Sequence, residues 1–107
     1  MKSEKERLEA EIRELTKQLR RVGPFIGDTV SVVFRKCGKP ACACHRDGPR
    51  HPAMFVTWKE DGKTLTLYVP RKLEGEVRQW AAHHQALKDL IRKITELRKQ
   101  IIRLRED

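Results

Sequence analysis

All three cysteines of the chain and two of its four histidines fall within one stretch of fifteen residues, Cys37-Gly38-Lys39-Pro40-Ala41-Cys42-Ala43-Cys44-His45-Arg46-Asp47-Gly48-Pro49-Arg50-His51. Three thiolates and one imidazole are a standard closed donor set for a structural Zn2+, which takes four ligands at tetrahedral corners. Cys37, Cys42 and Cys44 stand in a C-x4-C-x-C pattern, and either His51 or His45 completes the set. His51 is the preferred fourth ligand. Six residues separate it from Cys44, Gly48 and Pro49 among them, so the chain has room to turn back, whereas His45 follows Cys44 directly and needs a tight bend. Gly38-Lys39-Pro40 does similar work between the first two cysteines, since glycine admits positive φ and proline presets a turn.

Three other readings of these thiols compete with zinc. An odd cysteine count leaves a disulfide set incomplete, and C-x-C is too close to bridge easily. Three reduced thiols in a turn-rich loop without metal are the plainest alternative. A nucleophilic cysteine beside His45 ranks last, because clustered thiols with no evident partner acid look more like ligands than like one activated nucleophile. A closed Cys3His zinc has no open position for water. The chain also shows no glycine-rich phosphate cradle and no paired-carboxylate motif, so the expectation is a protein that is not an enzyme.

The elements that must position this loop follow from the spacing on either side. Ser3 and Glu6 form the S-x-x-E arrangement of a helix start, and Leu8, Ile12, Leu15, Leu19 and Val22 follow at steps of 4, 3, 4 and 3, a heptad seam over residues 3–22. Glu4, Glu6, Glu9, Glu11 and Glu14 crowd its first half and Lys17, Arg20 and Arg21 its end, each sign matching the helix dipole. Gly23-Pro24 stops it. Residues 29–36 alternate and are rich in β-branched types, as a strand should be, and lead straight into Cys37. Residues 54–60 and 63–69 read as two further strands, joined by the hairpin signal Asp61-Gly62.

After Pro70, residues 71 to about 105 read as one helix of about 50 Å. Its apolar stripe runs through Leu73, Val77, Trp80, Ala81, His84, Leu87, Ile91, Ile94, Leu97, Ile101 and Leu104. His83 and His84 are adjacent on a helix and point about 100° apart, so they are no chelating pair; His84 reads as a packing residue and His83 as a surface one. The expected fold is α+β: a small three-stranded antiparallel sheet with a zinc loop, flanked by an N-terminal helix and a long C-terminal helix that form a coiled-coil-like stalk. The corresponding segments are 1–22, 23–70 and 71–107. An antiparallel helix pair with Val22 near Val77 would protect the second helix only to about Ile94. Leu97, Ile101, Ile102 and Leu104 are then open to water and predict a homodimer or higher oligomer.

Lys and Arg number 24 against 15 Asp and Glu, a formal net charge of +9, which favours an anionic partner, nucleic acid before membrane surface. Cations crowd the loop at Arg35, Lys36, Lys39, Arg46 and Arg50, and Arg71 and Lys72 extend the set as candidate phosphate contacts. Trp58 and Tyr68 would stack on bases if they lay on an open sheet face, although aromatic strand residues more commonly pack under a helix. The first residues lack the apolar run of a secretory signal, and no segment reaches the roughly 18 apolar residues of a membrane span, so a cytoplasmic protein with reduced thiols is expected.

The combination of Cys37-Gly38-Lys39-Pro40 with Cys42 and Cys44, then His51-Pro52, an apolar strand, Gly62-Lys63-Thr64, Tyr68-Val69-Pro70 and a long charged helix resembles a family of small prokaryotic domains of unassigned function, often found near mobile-element genes. The resemblance covers about Arg35 to Leu97, with Cys-Gly-Lys-Pro its most specific part. This chain carries His51-Pro52-Ala53-Met54 where the family pattern has His-Gly-Pro and aromatic residues. The functional expectation is a zinc-stapled, oligomeric accessory or regulatory protein that binds nucleic acid, DNA or RNA, with the mobile element as the setting that the resemblance implies. The alternative is a protein-assembly adaptor that recruits a protein partner through the helical stalk and uses zinc only as a staple.

Overall fold

Periodicities of 3.6 and 2 residues become helix and strand in the computed structural model, in the order α1 (Glu4–Arg21), β1 (Thr29–Arg35), β2 (His51–Glu60), β3 (Lys63–Val69) and α2 (Glu74–Arg103). The structure describes residues 3–35, 48 and 50–104. The chain divides into two compact units, Met1–Phe25 with Ala82–Asp107, and Ile26–Ala81. The boundary falls inside α2, so this helix serves two separate cores.

The first unit is a helix pair. Ser3 caps α1, its side chain accepting the Glu6 amide at 3.2 Å, and satisfies one of the donors that a helix start leaves orphaned. Leu8 and Ile12 are buried with Leu97, and Leu15, Ile94, Ile101 and Leu104 pack against that cluster. Along α2 the side chains turned inward are Leu87, Leu90, Ile94, Leu97, Ile101 and Leu104, at strict steps of 3 and 4. Leu90 takes the place expected for Ile91, which is 54% exposed. At the other end of α1, a Cβ on Gly23 would meet His83 Cε1 at 2.8 Å, and His83 Nδ1 lies in hydrogen-bond contact with the Pro24 carbonyl oxygen. His84 stacks on Phe25 with centroids 6.2 Å apart. The surface role expected for His83 is therefore corrected: it closes the turn that leaves α1.

These contacts overturn the expected register. The helix pairing starts at His83 rather than near Val77, and the row thought to be open to water is largely closed within the chain. Leu97 is 9% exposed, Ile101 and Leu104 are half-buried, and Ile102 alone of the four stands out at 63%. The physical reason is that the first turns of α2 have another use. Val77 is buried there with Met54, Val56 and Val69, while Ile26, Val30, Trp58 and Trp80 pack around them.

The second unit holds the sheet, three antiparallel strands in the order β1-β2-β3. Register places Val30, Val56 and Leu67 in one row and Val32, Met54 and Val69 in another. These rows share the face on which Val77 and Trp80 pack. The Ile26 amide donates to the Trp80 carbonyl at 3.2 Å and ties the segment before β1 to α2. Asp61 and Gly62 form the β2–β3 turn with φ of 51° and 79°, the positive-φ pair that a two-residue hairpin demands. β2 begins at His51, three residues earlier than the alternation suggests, with Pro52 opposite Phe34. Proline is tolerated there because β3 has already ended opposite Met54, so at Pro52 the strand has one neighbour instead of two and a missing N–H costs little.

The ion pairs among the described residues, Lys17–Glu14, Arg78–Glu74 and Lys99–Glu96, are helical and largely solvent-exposed. Pairs of this kind contribute a few tenths of a kcal/mol at most. Stability of the helix pair therefore rests on the apolar seam. Leu97→Ala is expected to lower the unfolding free energy by about 2–4 kcal/mol, while Ile102→Ala changes it by less than about 0.5 kcal/mol. Urea unfolding followed by far-UV circular dichroism measures both, and equal losses would sink the pairing described. Gly23→Ala, which forces the His83 ring to move, is expected to cost about 1–3 kcal/mol in the same assay.

Candidate functional site

Strand pairing holds the two ends of the cysteine stretch. Arg35 ends β1, His51 opens β2, and the two are direct cross-strand partners. Cys37, Cys42, Cys44 and His45 lie outside the described residues, as do the expected phosphate contacts Lys36, Lys39 and Arg46. Among the described residues no group of three His, Cys, Asp or Glu side chains forms a metal site. His51, the preferred fourth ligand, is exposed at the head of the central strand.

Four of the expected basic contacts are described, and the sheet topology gathers them. Arg35 belongs to the terminal pair of the β1–β2 ladder, opposite His51, and Arg50 immediately precedes that pair. β3 ends at Val69 opposite Met54, three residues along β2 from His51, so Arg71 and Lys72 leave the sheet at the same end. They sit in a single 3-10 turn, Arg71–Leu73, secured by the Leu73 amide donating to the Pro70 carbonyl at 2.9 Å. All four side chains are exposed, and among the described residues none of them is in an ion pair. Exposed cations gathered at one end of a small sheet raise the local positive potential.

The face of the sheet opposite Val77 and Trp80 carries a second arrangement. By register its rows are Thr29, Thr57 and Thr66; Ser31, Phe55 and Tyr68; Val33 with Ala53; Arg35 with His51; and Lys59 with Thr64. Phe55 and Tyr68 meet edge to face, with centroids 5.7 Å apart at 66°. The Arg35 guanidinium carbon lies 5.0 Å from the centre of the Phe55 ring, within the range of a cation–π contact. Phe55 thus supports a guanidinium on one side and a tyrosine on the other. Sequence reasoning named Trp58 and Tyr68 as a possible aromatic surface, and the structure separates them. Trp58 packs with the core on the helix-covered face, its indole N–H donating to Glu60 at 3.4 Å. Tyr68 is 54% exposed on the other face. Phe55 was missed as its partner, although the Asp61-Gly62 hairpin sets the register that puts the two rings side by side.

The family model described as a domain of unknown function (DUF6788) matches residues 5–79. The chain belongs to this family. The DUF6788 match takes in α1, the whole sheet and the first turns of α2 that cover it. It begins earlier and ends earlier than the stretch picked out by the cysteine motif. No curated protein and no solved structure matches the chain. No helix among the described residues is long and apolar enough to cross a membrane.

The Arg35–Phe55 contact is measurable without any ligand. A double-mutant cycle with Arg35→Ala and Phe55→Leu, read by urea unfolding, is expected to give a coupling of about 0.5–1 kcal/mol. Additive losses would show that the two side chains do not interact.

Proposed function

We propose that this protein binds nucleic acid through the basic end of its sheet, with the Cys37–His51 stretch stapled by zinc, and that it serves as an accessory or regulatory factor, the mobile-element setting being the one implied by its cysteine motif. The observation that carries this reading is the convergence of Arg35, Arg50, Arg71 and Lys72 on the end of the sheet from which the cysteine stretch departs and to which it returns. A loop that begins and ends on one ladder pair has little closure entropy left to lose, so a metal ion there completes an enclosure that the strands have begun. Cys37, Cys42, Cys44 and His51 are the residues that would hold it. Zn2+ in that set supplies cross-linking, and the ligands would fix the backbone that carries Lys36, Lys39 and Arg46 beside the cations already gathered. The chain's charge of +9 supports an anionic partner, and contact mainly to phosphates follows from lysines and arginines that face solvent. Self-association is not required, since Leu97, Ile101 and Leu104 meet partners within the chain.

A second reading, the protein-assembly adaptor, is favoured by Ile91 and Ile102. Both are more than half exposed, and eleven residues of separation places them on one outer stripe of α2. In that case a partner chain would cover the stripe and zinc would serve only as a staple.

Metal content and oligonucleotide binding test the first reading together. Reduced, freshly purified protein is expected to carry one zinc per chain, lost from His51→Ala and retained by His45→Ala. Oligonucleotide affinity is expected to fall steeply with salt, and Lys39→Glu, Arg46→Glu and Arg50→Glu combined should abolish it with the circular dichroism spectrum unchanged. Metal-free protein would remove the staple, and unaltered binding by the triple variant would remove the loop. Loss of a co-purifying protein on Ile91→Ser with Ile102→Ser, with negligible nucleic-acid affinity throughout, would favour the adaptor.

A further inference from the structure

We propose that the sheet face opposite α2 takes unpaired bases of single-stranded nucleic acid, stacked on Tyr68 and on the Phe55-supported guanidinium of Arg35; this deepens the nucleic-acid reading and rests on it. Three observations on that face agree. It presents π surface in the open: Tyr68 is more than half exposed and packs edge to face against the Phe55 ring, which limits the rotamers it can take. It has the charge of a phosphate-tracking surface. Arg35 and Lys59 lie at opposite ends of its β2 ladder, and no position in its rows is an Asp or Glu. Between these cations the face carries the hydroxyls of Ser31, Thr29, Thr57 and Thr66, suited to sugar and phosphate, beside the small apolar row of Val33 and Ala53.

Duplex DNA keeps its bases stacked inside and offers this face only phosphates, whereas a single strand offers bases as well. Stacking on an aromatic side chain is tolerant of sequence, because every base has a π face. The basic end of the sheet and the aromatic face adjoin at Arg35, which belongs to both. A strand held by its phosphates at Arg50, Arg71 and Lys72 would therefore meet Arg35 and then Tyr68 as it ran along the sheet toward Lys59.

Fluorescence anisotropy on the full chain tests this with two probes, a fluorescein-labelled oligothymidine and a labelled mixed-sequence duplex of equal length. The single strand is expected to bind the tighter. Tyr68→Ala should weaken it about tenfold or more and alter duplex affinity less than twofold, with Tyr68→Phe close to the parent. Circular dichroism of each variant checks the fold. Single-strand binding that Tyr68→Ala leaves intact, or a duplex that binds as tightly as the single strand, overturns the proposal while the phosphate-contact reading stands. Failure of both probes to bind the parent chain overturns both readings. A dimer in sedimentation velocity that Tyr68→Ala abolishes, without added nucleic acid, would assign the face to a second copy of the chain and overturn the proposal too.

Discussion

The packing of Val77 and Trp80 onto Met54, Val56 and Val69 is the contact on which the rest of this structure depends. A sheet of three strands with both faces wet is marginal in water, because it buries too little apolar surface to offset the entropy of ordering its backbone. Here the cover comes from the opening turns of α2, delivered straight from β3 through Pro70 and a single 3-10 turn. That choice assigns the two faces of the sheet their different fates. Once even-numbered residues of β2 are under the helix, period-two alternation leaves Phe55, and with it Tyr68 across the ladder, on the other side.

The same contact decides what the long helix does elsewhere. Residues of α2 committed to the sheet cannot also line a helix pair, so the seam with α1 is displaced toward the C-terminus and Leu97 becomes a core residue. A short connection at Gly23 and Pro24, closed by His83, fits this displaced register. A helix of 30 residues thereby serves two cores, and of the row that pointed to self-association Leu97, Ile101 and Leu104 pack within the chain while Ile102 stays exposed.

Surface charge plays a different part. The ion pairs on the helices are solvated and add little to stability, which leaves the surplus of cations free to shape the potential around the molecule. Sheet topology concentrates part of that surplus. Because antiparallel order brings the start of β2 beside the ends of β1 and β3, four cations distant in sequence leave the sheet at one end. The proposed zinc stretch departs from the same place, so the proposed staple and the proposed phosphate contacts share one scaffold.

Much of this was legible in the chain itself. The Ser3 cap, the 3-and-4 spacing from Leu8 onward, the Asp61-Gly62 turn and the alternation around it determine α1, the β2–β3 hairpin and the α+β class, since each is a preference of a few neighbouring residues. The donor set proposed for zinc rests on composition and spacing alone, since Cys37, Cys42 and Cys44 lie outside the described residues. Three things were settled only in three dimensions. Pro52 could enter a strand because β3 stops short of it, Leu90 rather than Ile91 is the buried residue of its turn, and Phe55 found Tyr68 and Arg35 because the helix chose the opposite face. Periodicity states that a segment has an apolar side; which partner covers that side, and from which residue onward, depends on packing among distant segments, and no local pattern encodes it.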